Sequence, residues 1–268
     1  MNTRPVVAAI VLGVVLPPAC ASSQSLEARI AAASGDVRFS FTARPDVSGN
    51  GHSIIQWSCD GHRCRQQIDG NYSDGDEDDW RSACDTGPVR VTLRRREGRV
   101  TGLRTAVGGR ASVFATGTDL GRVAAPEAVR YLLDLAARAE GDVGSKAMFA
   151  ATLADSATTW PELLRLARDR RVPQQTRSGA VFWVSQAAEV AATRGLDPLV
   201  DADDTDREVR KSAVFALSQR PREEGVPVLI RIAETNRDPE IRKQAIFWLG
   251  QSNDPRALAL FEQLLTRP

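Results

Sequence analysis

Two hydrophobic periods divide the chain. From Gly35 to about Gly121 apolar and polar positions alternate: Val37, Phe39 and Phe41 with Arg38, Ser40 and Thr42, then Val89, Val91 and Leu93 with Arg90, Thr92 and Arg94. A period of two places one set of side chains on one face of a strand, so both runs predict half-buried strands. Glu97-Gly98 reads as a turn and Val100 to Val107 as the returning strand of a hairpin. Ser53 to Trp57 and Ser112 to Thr116 are further strand candidates, with turn signals at Asn50-Gly51, Asp69-Gly70 and Asp74-Gly75. A short helical fragment, Leu26 to Ala33, precedes them. The reading for residues 35–121 is a small antiparallel β domain with one apolar face.

Beyond Ala124 the period becomes 3.6, and Pro126-Glu127 has the form of a first helical turn. Within 126–268 the segments Thr176 to Gln186, Val209 to Gln219 and Ile241 to Gln251 superpose without gaps, and Ala147 to Thr152 is a weaker copy. Phe149, Phe182, Phe215 and Phe247 are spaced 33, 33 and 32 residues apart. Each copy is followed by a second apolar run broken by one charge: Leu163 to Ala167, Leu199 to Ala202, Leu229 to Ala233 and Leu260 to Glu262, with Leu132 to Ala136 standing before the first copy. The unit is a pair of antiparallel helices. One pair cannot bury its apolar face alone, whereas stacked pairs share a continuous core. The four phenylalanines are expected to be buried at equivalent places between paired helices, with Trp183 and Trp248 as packing residues. The fold class is α+β: an N-terminal antiparallel β domain followed by an all-α superhelix.

The periods of several helical repeats are similar, so the residues decide between them. Asp206-Arg-Glu-Val-Arg210 and Asp238-Pro-Glu-Ile-Arg242 place an acid four residues before an arginine at the start of the first helix. This pattern resembles HEAT repeats, specifically the short variety related to phycobilisome-lyase repeats. The resemblance covers roughly Ala147 to Leu265. It implies that Asp206 and Asp238 cap their helices, that Arg177, Arg210 and Arg242 form a ladder between units, and that first helices line a convex side and second helices a concave one. Pro173 stands where the unit of Arg177 should carry its acid. Folds of this kind bind proteins; a few relatives of the short variety are lyases on tetrapyrroles, but no cysteine lies in this array.

Aligned by their apolar runs, the second helices carry one charge at the same place in each: Asp134, Arg165, Asp201, Arg231 and Glu262. The signs alternate. This row, on the face the resemblance makes concave, is the candidate binding surface, with Arg165 and Arg231 expected to bridge to acids of neighbouring units.

The first residues are set apart from the fold. Arg4 gives a positive start, Val6 to Leu16 is an apolar run too short to span a bilayer comfortably, Pro17-Pro18 breaks it, and Ala19-Cys20-Ala21 is an A-x-A pattern. Residues 1–21 are expected to be a signal peptide, directing the chain to the periplasm or beyond. Ala19-Cys20 also permits lipidation of Cys20 in the manner of bacterial lipoproteins, which would anchor the chain to a membrane.

Composition narrows the chemistry. The formal net charge is +1, with 42% hydrophobic and 26% charged residues, so no global field selects a nucleic acid. In an oxidising compartment Cys59, Cys64 and Cys84 are disulfide candidates, with Cys84 expected to pair with Cys59 or Cys64. Free thiols, or a metal site that drew in His52 and His62, are the alternatives, and the Cys-x₄-Cys spacing fits zinc poorly. The acidic run Asp74 to Asp79 reads as a solvated loop: a calcium loop starting at Asp69 would meet Asp74 in place of its glycine and Trp80 in place of its glutamate. Arg90, Arg94, Arg96, Arg99 and Arg104 read as the water-facing side of a sheet, or else as an anion-contacting surface. No nucleophile, histidine and acid stand in a catalytic arrangement, and no phosphate-loop pattern occurs. The expected function is a non-catalytic, cofactor-free protein-binding scaffold of the cell envelope, monomeric, with another protein as partner. A lyase-like or accessory enzyme and a structural envelope lipoprotein are the other readings.

Overall fold

The computed structural model describes residues 24–51, 54–60, 63–69, 86–108, 117–187, 190–203 and 205–266. The signal-peptide and Cys20 expectations, Cys84, the acidic loop and the Ser112–Thr116 strand lie outside these residues. Helix α1 (Leu26–Ala32) leads into β1 (Val37–Phe41), β2 (Val47–Gly49), β3 (Ile54–Asp60), β4 (Arg63–Asp69), β5 (Val89–Arg96), β6 (Arg99–Ala106) and β7 (Thr118–Arg122). Glu97 and Gly98, with φ of 50° and 78°, turn β5 back into β6, the left-handed pair that suits a two-residue hairpin.

The sheet is mixed, which corrects the antiparallel expectation. Its order is β6-β5-β1-β7, and β7 runs parallel to β1 while the other pairs are antiparallel. A parallel neighbour can come only from distant sequence. Gly117 makes the entry possible: its φ is 100°, and a Cβ there would meet the Asp36 carbonyl oxygen at 2.3 Å. Strands β2, β3 and β4 form a second, three-stranded sheet, in which Cys59 and Cys64 stand opposite each other in register. The side chains of that pair lie outside the described ones.

Among the described residues nine further helices follow: α2 (Ala125–Arg138), α3 (Val143–Thr152), α4 (Trp160–Arg168), α5 (Gln174–Ser185), α6 (Val190–Asp201), α7 (Arg207–Ser218), α8 (Arg222–Thr235), α9 (Pro239–Gln251) and α10 (Pro255–Thr266). They alternate between two layers. The first helices α3, α5, α7 and α9 lie side by side, and α2, α4, α6, α8 and α10 lie behind them. Gly225 lets α8 begin hard against α7, since a Cβ there would stand 2.2 Å from the Leu217 carbonyl oxygen. No helix among the described residues is long and apolar enough to cross a membrane.

The inward stripe repeats at i, i+4 and i+8: Thr176, Ala180 and Val184 in α5; Val209, Ala213 and Leu217 in α7; Ile241, Ala245 and Leu249 in α9, all buried. The central alanine is small enough for the layers to approach closely. This stripe corrects the place given to the phenylalanines. Each stands two residues beyond the alanine, about 200° round the helix, so it points away from the core. Phe149, Phe182 and Phe215 are half-buried and Phe247 is 56% exposed. The register itself stands, because Ala147, Ala180, Ala213 and Ala245 are all fully buried.

The sheet closes one end of this stack. The Phe39 ring meets Tyr131 of α2 edge-on at 6.1 Å, the Leu26 N–H donates to Glu127 at 2.6 Å, and the Arg44 and Asp155 N–H groups tie the end of α3 to the segment after β1. Burial pushes the Tyr131 phenol up to about 12, against the pull of Arg138 and Arg95. The apolar core runs from the sheet into the helices without a break.

Candidate functional site

The second-helix layer turns its charged residues outward for the same geometrical reason that exposes the phenylalanines. In Leu229-Ile-Arg-Ile-Ala233 the leucine, second isoleucine and alanine are buried, and Arg231 lies about 200° from Leu229. Asp134, Arg165, Asp201 and Glu262 occupy the equivalent places on α2, α4, α6 and α10. Arg231 is the best-partnered member. Its Nη1 donates to Asp201 Oδ2 at 2.9 Å, and its Nη2 pairs with Asp197 one turn earlier on α6. Burial works against the charge on Arg231, but the two carboxylates outweigh it and raise its affinity for the proton.

Among the described residues Arg165 makes no ion pair with a neighbouring unit. Its Nη2 lies 2.6 Å from Glu162 of its own helix, and that bond chiefly raises its basicity, with Asp134 adding to the field. Among the described residues no ion pair joins Glu262 to Arg231. Among the described residues the row therefore has one inter-unit clamp, at α6–α8, while Arg165 is held by its own helix. Other arginines cross the same layer: Arg168 Nη2 donates to the Gly195 carbonyl at 3.2 Å, and Arg256 Nη1 reaches Glu223 at 3.1 Å.

A cleft of about 480 Å³ adjoins the row at its sheet-proximal end. Pro126, Val129 and Leu133 of α2 and Ala157 form its apolar lining, Arg130, Ser156 and Thr158 its polar rim, and Glu162 belongs both to the cleft and to the row. Ser156 holds a left-handed φ of 54° in the wall, a conformation that costs a non-glycine residue about 1 kcal/mol or more. No pattern of residues signals this cleft, because its walls come from the α2 flank and the turn before α4.

On the first-helix layer the capping acids and arginines meet. Arg177, buried, donates from Nε to the Val172 carbonyl at 3.1 Å and pairs with Asp206. Arg210 donates to the Val200 carbonyl at 2.8 Å and reaches Asp238 at 3.4 Å. Arg242 donates to the Asn236 and Arg237 carbonyls at 2.7 and 3.1 Å. Asp206 stands at the N-cap of α7 but makes no capping bond, its carboxylate being turned toward Arg177. Asp238 accepts the Glu240 N–H at 3.0 Å. Burial opposes its ionisation, yet the Glu240 N–H with Arg207 and Arg210 keeps its carboxyl below the usual range.

Sequence reasoning missed the most enclosed polar cluster. Buried Arg220 donates to the Thr193 hydroxyl at 2.7 Å, to the Ser185 carbonyl at 3.2 Å and to Glu224 at 2.9 Å. The Thr193 hydroxyl in turn donates to Glu224, and this bond leads in lowering the Glu224 carboxyl. The cluster ties the end of α5, α6 and α8 to the turn that follows α7. Its only signal was an arginine before Pro221 with a glutamate four residues on. In the sheet, Arg94, Arg96, Arg99 and Arg104 are exposed, and Arg90 donates to the Gly108 carbonyl.

No curated protein matches the chain. Residues 196–268, from within α6 through α10, match the family model for HEAT repeats, and this helical region is thus similar to scaffolds that generally mediate protein–protein interaction.

Proposed function

We propose that the protein is a non-catalytic binding scaffold of the cell envelope that engages another protein through the outward face of its second-helix layer. The observation that carries this reading is the continuity of the charged row with the cleft: Glu162 lines the cleft and holds Arg165, and Arg231 stands clamped between two carboxylates further along. A row of alternating charges beside an apolar recess favours one orientation of a partner segment, since mismatched charges repel while apolar contact supplies affinity. Surface ion pairs add only about 0–1 kcal/mol of stability each, so folding alone is a weak reason for the pattern. Export is part of the proposal and rests on Arg4, the Val6–Leu16 run and Ala19-Cys20-Ala21. Mass spectrometry of the mature N-terminus tests it: a start at Ser22 supports cleavage, a diacylglyceryl-modified Cys20 supports anchoring, and an intact Met1 contradicts both.

The binding reading is tested by recovering the tagged chain from its own cell envelope with and without Arg231→Glu. The expected result is a specific protein that accompanies the unaltered chain and is lost from the variant, with both forms melting alike. Equal recovery with the variant contradicts the reading.

A further inference from the structure

The β5–β6 hairpin concentrates charge that the rest of the chain balances. Residues 89–106 hold six arginines and one acid, Glu97, in a chain whose formal net charge is only +1. The alternation that buries Val91 and Leu93 turns Arg94 outward, and the register sets Arg96 directly opposite Arg99 and Thr92 opposite Arg104. Arg94, Arg96, Arg99 and Arg104 are all exposed, as are Glu97 and Gly98 of the turn. Gly102 stands opposite Arg94 and leaves room for its stem, since a Cβ there would meet Arg94 Cβ at 3.4 Å and Cδ at 3.9 Å. The register slips between Arg94 and Arg95. Arg95 is held against the segment after α1: its N–H donates to Asp36 at 3.0 Å and its Nη1 to the Ala33 carbonyl at 2.7 Å. The middle arginine of three thus fastens the hairpin to the end of α1, while Arg94 and Arg96 on either side of it face water.

Like charges directly opposite each other destabilise a strand pair, so folding gains nothing from setting Arg96 against Arg99. The charges spread over two strands and a turn at the rim of the sheet, where β6 is the outer strand. Strands lie about 5 Å apart and alternate residues about 7 Å apart, so the spread suits a partner that offers many separate anions across a surface. We infer that this corner lies against an anionic phospholipid bilayer, whose phosphates the arginine forks bind through paired hydrogen bonds. Its place in the chain supports that occupant. Arg95 ties the corner to the end of α1, a helix of seven residues, and the chain that enters α1 brings the Val6–Leu16 run and Cys20. One acyl chain holds a protein to a membrane only marginally, and a basic patch supplies the second signal that stable anchoring needs. That pairing of signals rests on the anchoring reading of Cys20; the bilayer contact itself does not. The sheet carries this corner and the helices carry the charged row, so the two surfaces can fail separately.

The full chain is floated with phosphatidylcholine vesicles that contain or lack phosphatidylglycerol, at low and high salt. Tighter binding to the anionic vesicles is expected, weakened by salt; the neutral vesicles read whatever the Val6–Leu16 run contributes. Replacing Arg94, Arg96 and Arg99 by Gln should weaken binding to anionic vesicles by about fivefold for each arginine, and so well over tenfold for the three, with binding to neutral vesicles unchanged. Circular dichroism checks that these exposed replacements leave the fold intact. Arg165→Gln with Arg231→Gln, on the charged row, should leave vesicle binding unaltered. Equal binding to both vesicle types, or a loss from the row variant as large as that from the hairpin variant, overturns the inference. Capture of poly-glutamate in place of vesicles also overturns it, because the corner would then serve an acidic protein. Anionic binding that appears only after Asp76, Asp78 and Asp79 are changed to Asn and Glu77 to Gln overturns it as well, because the corner would then belong to the chain's own acidic run.

Discussion

Arg220 Nη2 lies 2.9 Å from Glu224 Oε2, and the arginine side chain is only 3% exposed. The pair is enclosed by the Thr193 hydroxyl and by the Ser185 and Ala187 carbonyls. Removing the arginine leaves the Glu224 carboxylate, only 18% exposed, without its cation. Arg220→Met is expected to cost about 3–5 kcal/mol in urea unfolding, and Arg220→Met with Glu224→Met to recover at least half of that. A loss below about 1 kcal/mol for the single change contradicts the role given to the cluster.

Acid should weaken the fold in a defined window. Asp254 is held to about 2, from an ordinary 3.8, first by its bond to Arg256. The unfolded chain takes up that proton at a higher pH than the folded one, so the stabilisation is complete above about pH 4 and fades as the pH falls toward 2. Glu224 and Asp238 shift in the same direction. Melting temperature followed against pH should fall across this window, and less steeply for Asp254→Asn. Equal slopes for the two proteins contradict the assignment.

The repeat phenylalanines should not behave alike. Phe215 is half-buried under Trp248, so Phe215→Ala is expected to cost about 2 kcal/mol, below the 3–5 typical of a fully buried ring. Phe247→Ala, at an open position, should fall within about 0.5 kcal/mol of the unaltered protein. Denaturant unfolding of both variants checks this, and equal losses contradict the orientation described here.

That contrast shows where the sequence could and could not be read. The helices and their register were legible because Ala180, Ala213 and Ala245 recur with their flanking residues, and repetition carries more information than propensity. Which apolar residue faced inward was not legible from identity alone: a phenylalanine looks like core, and only its angle from the alanine shows otherwise. Strand β7 was unreadable because Thr118 to Arg122 is short and polar and earns its place by pairing with β1. Within the charged row the equivalent positions were visible, whereas the choice of Glu162 over Asp134 by Arg165 depends on local reach. Arg220 stood outside the repeat pattern altogether.

Arg231 should matter little to folding. Its side chain is 39% exposed and both of its partners are also open to water, so Arg231→Ala is expected to cost no more than about 1 kcal/mol, and less at high salt. Unfolding curves at low and high ionic strength read this directly. A larger, salt-insensitive loss would make Arg231 a folding residue and remove the reason for treating it as part of a binding face.

The most direct measurement of the binding face is site-specific photo-cross-linking in the native cell envelope. A photoreactive residue is placed in turn at Arg165 and Glu262 on the second-helix layer, and at exposed Gln175 and Glu208 on the first-helix layer. One and the same protein is expected to be captured from Arg165 and Glu262 and not from Gln175 or Glu208. Capture of that protein only from Gln175 and Glu208, or none from the second-helix positions, contradicts a binding role for the second-helix layer.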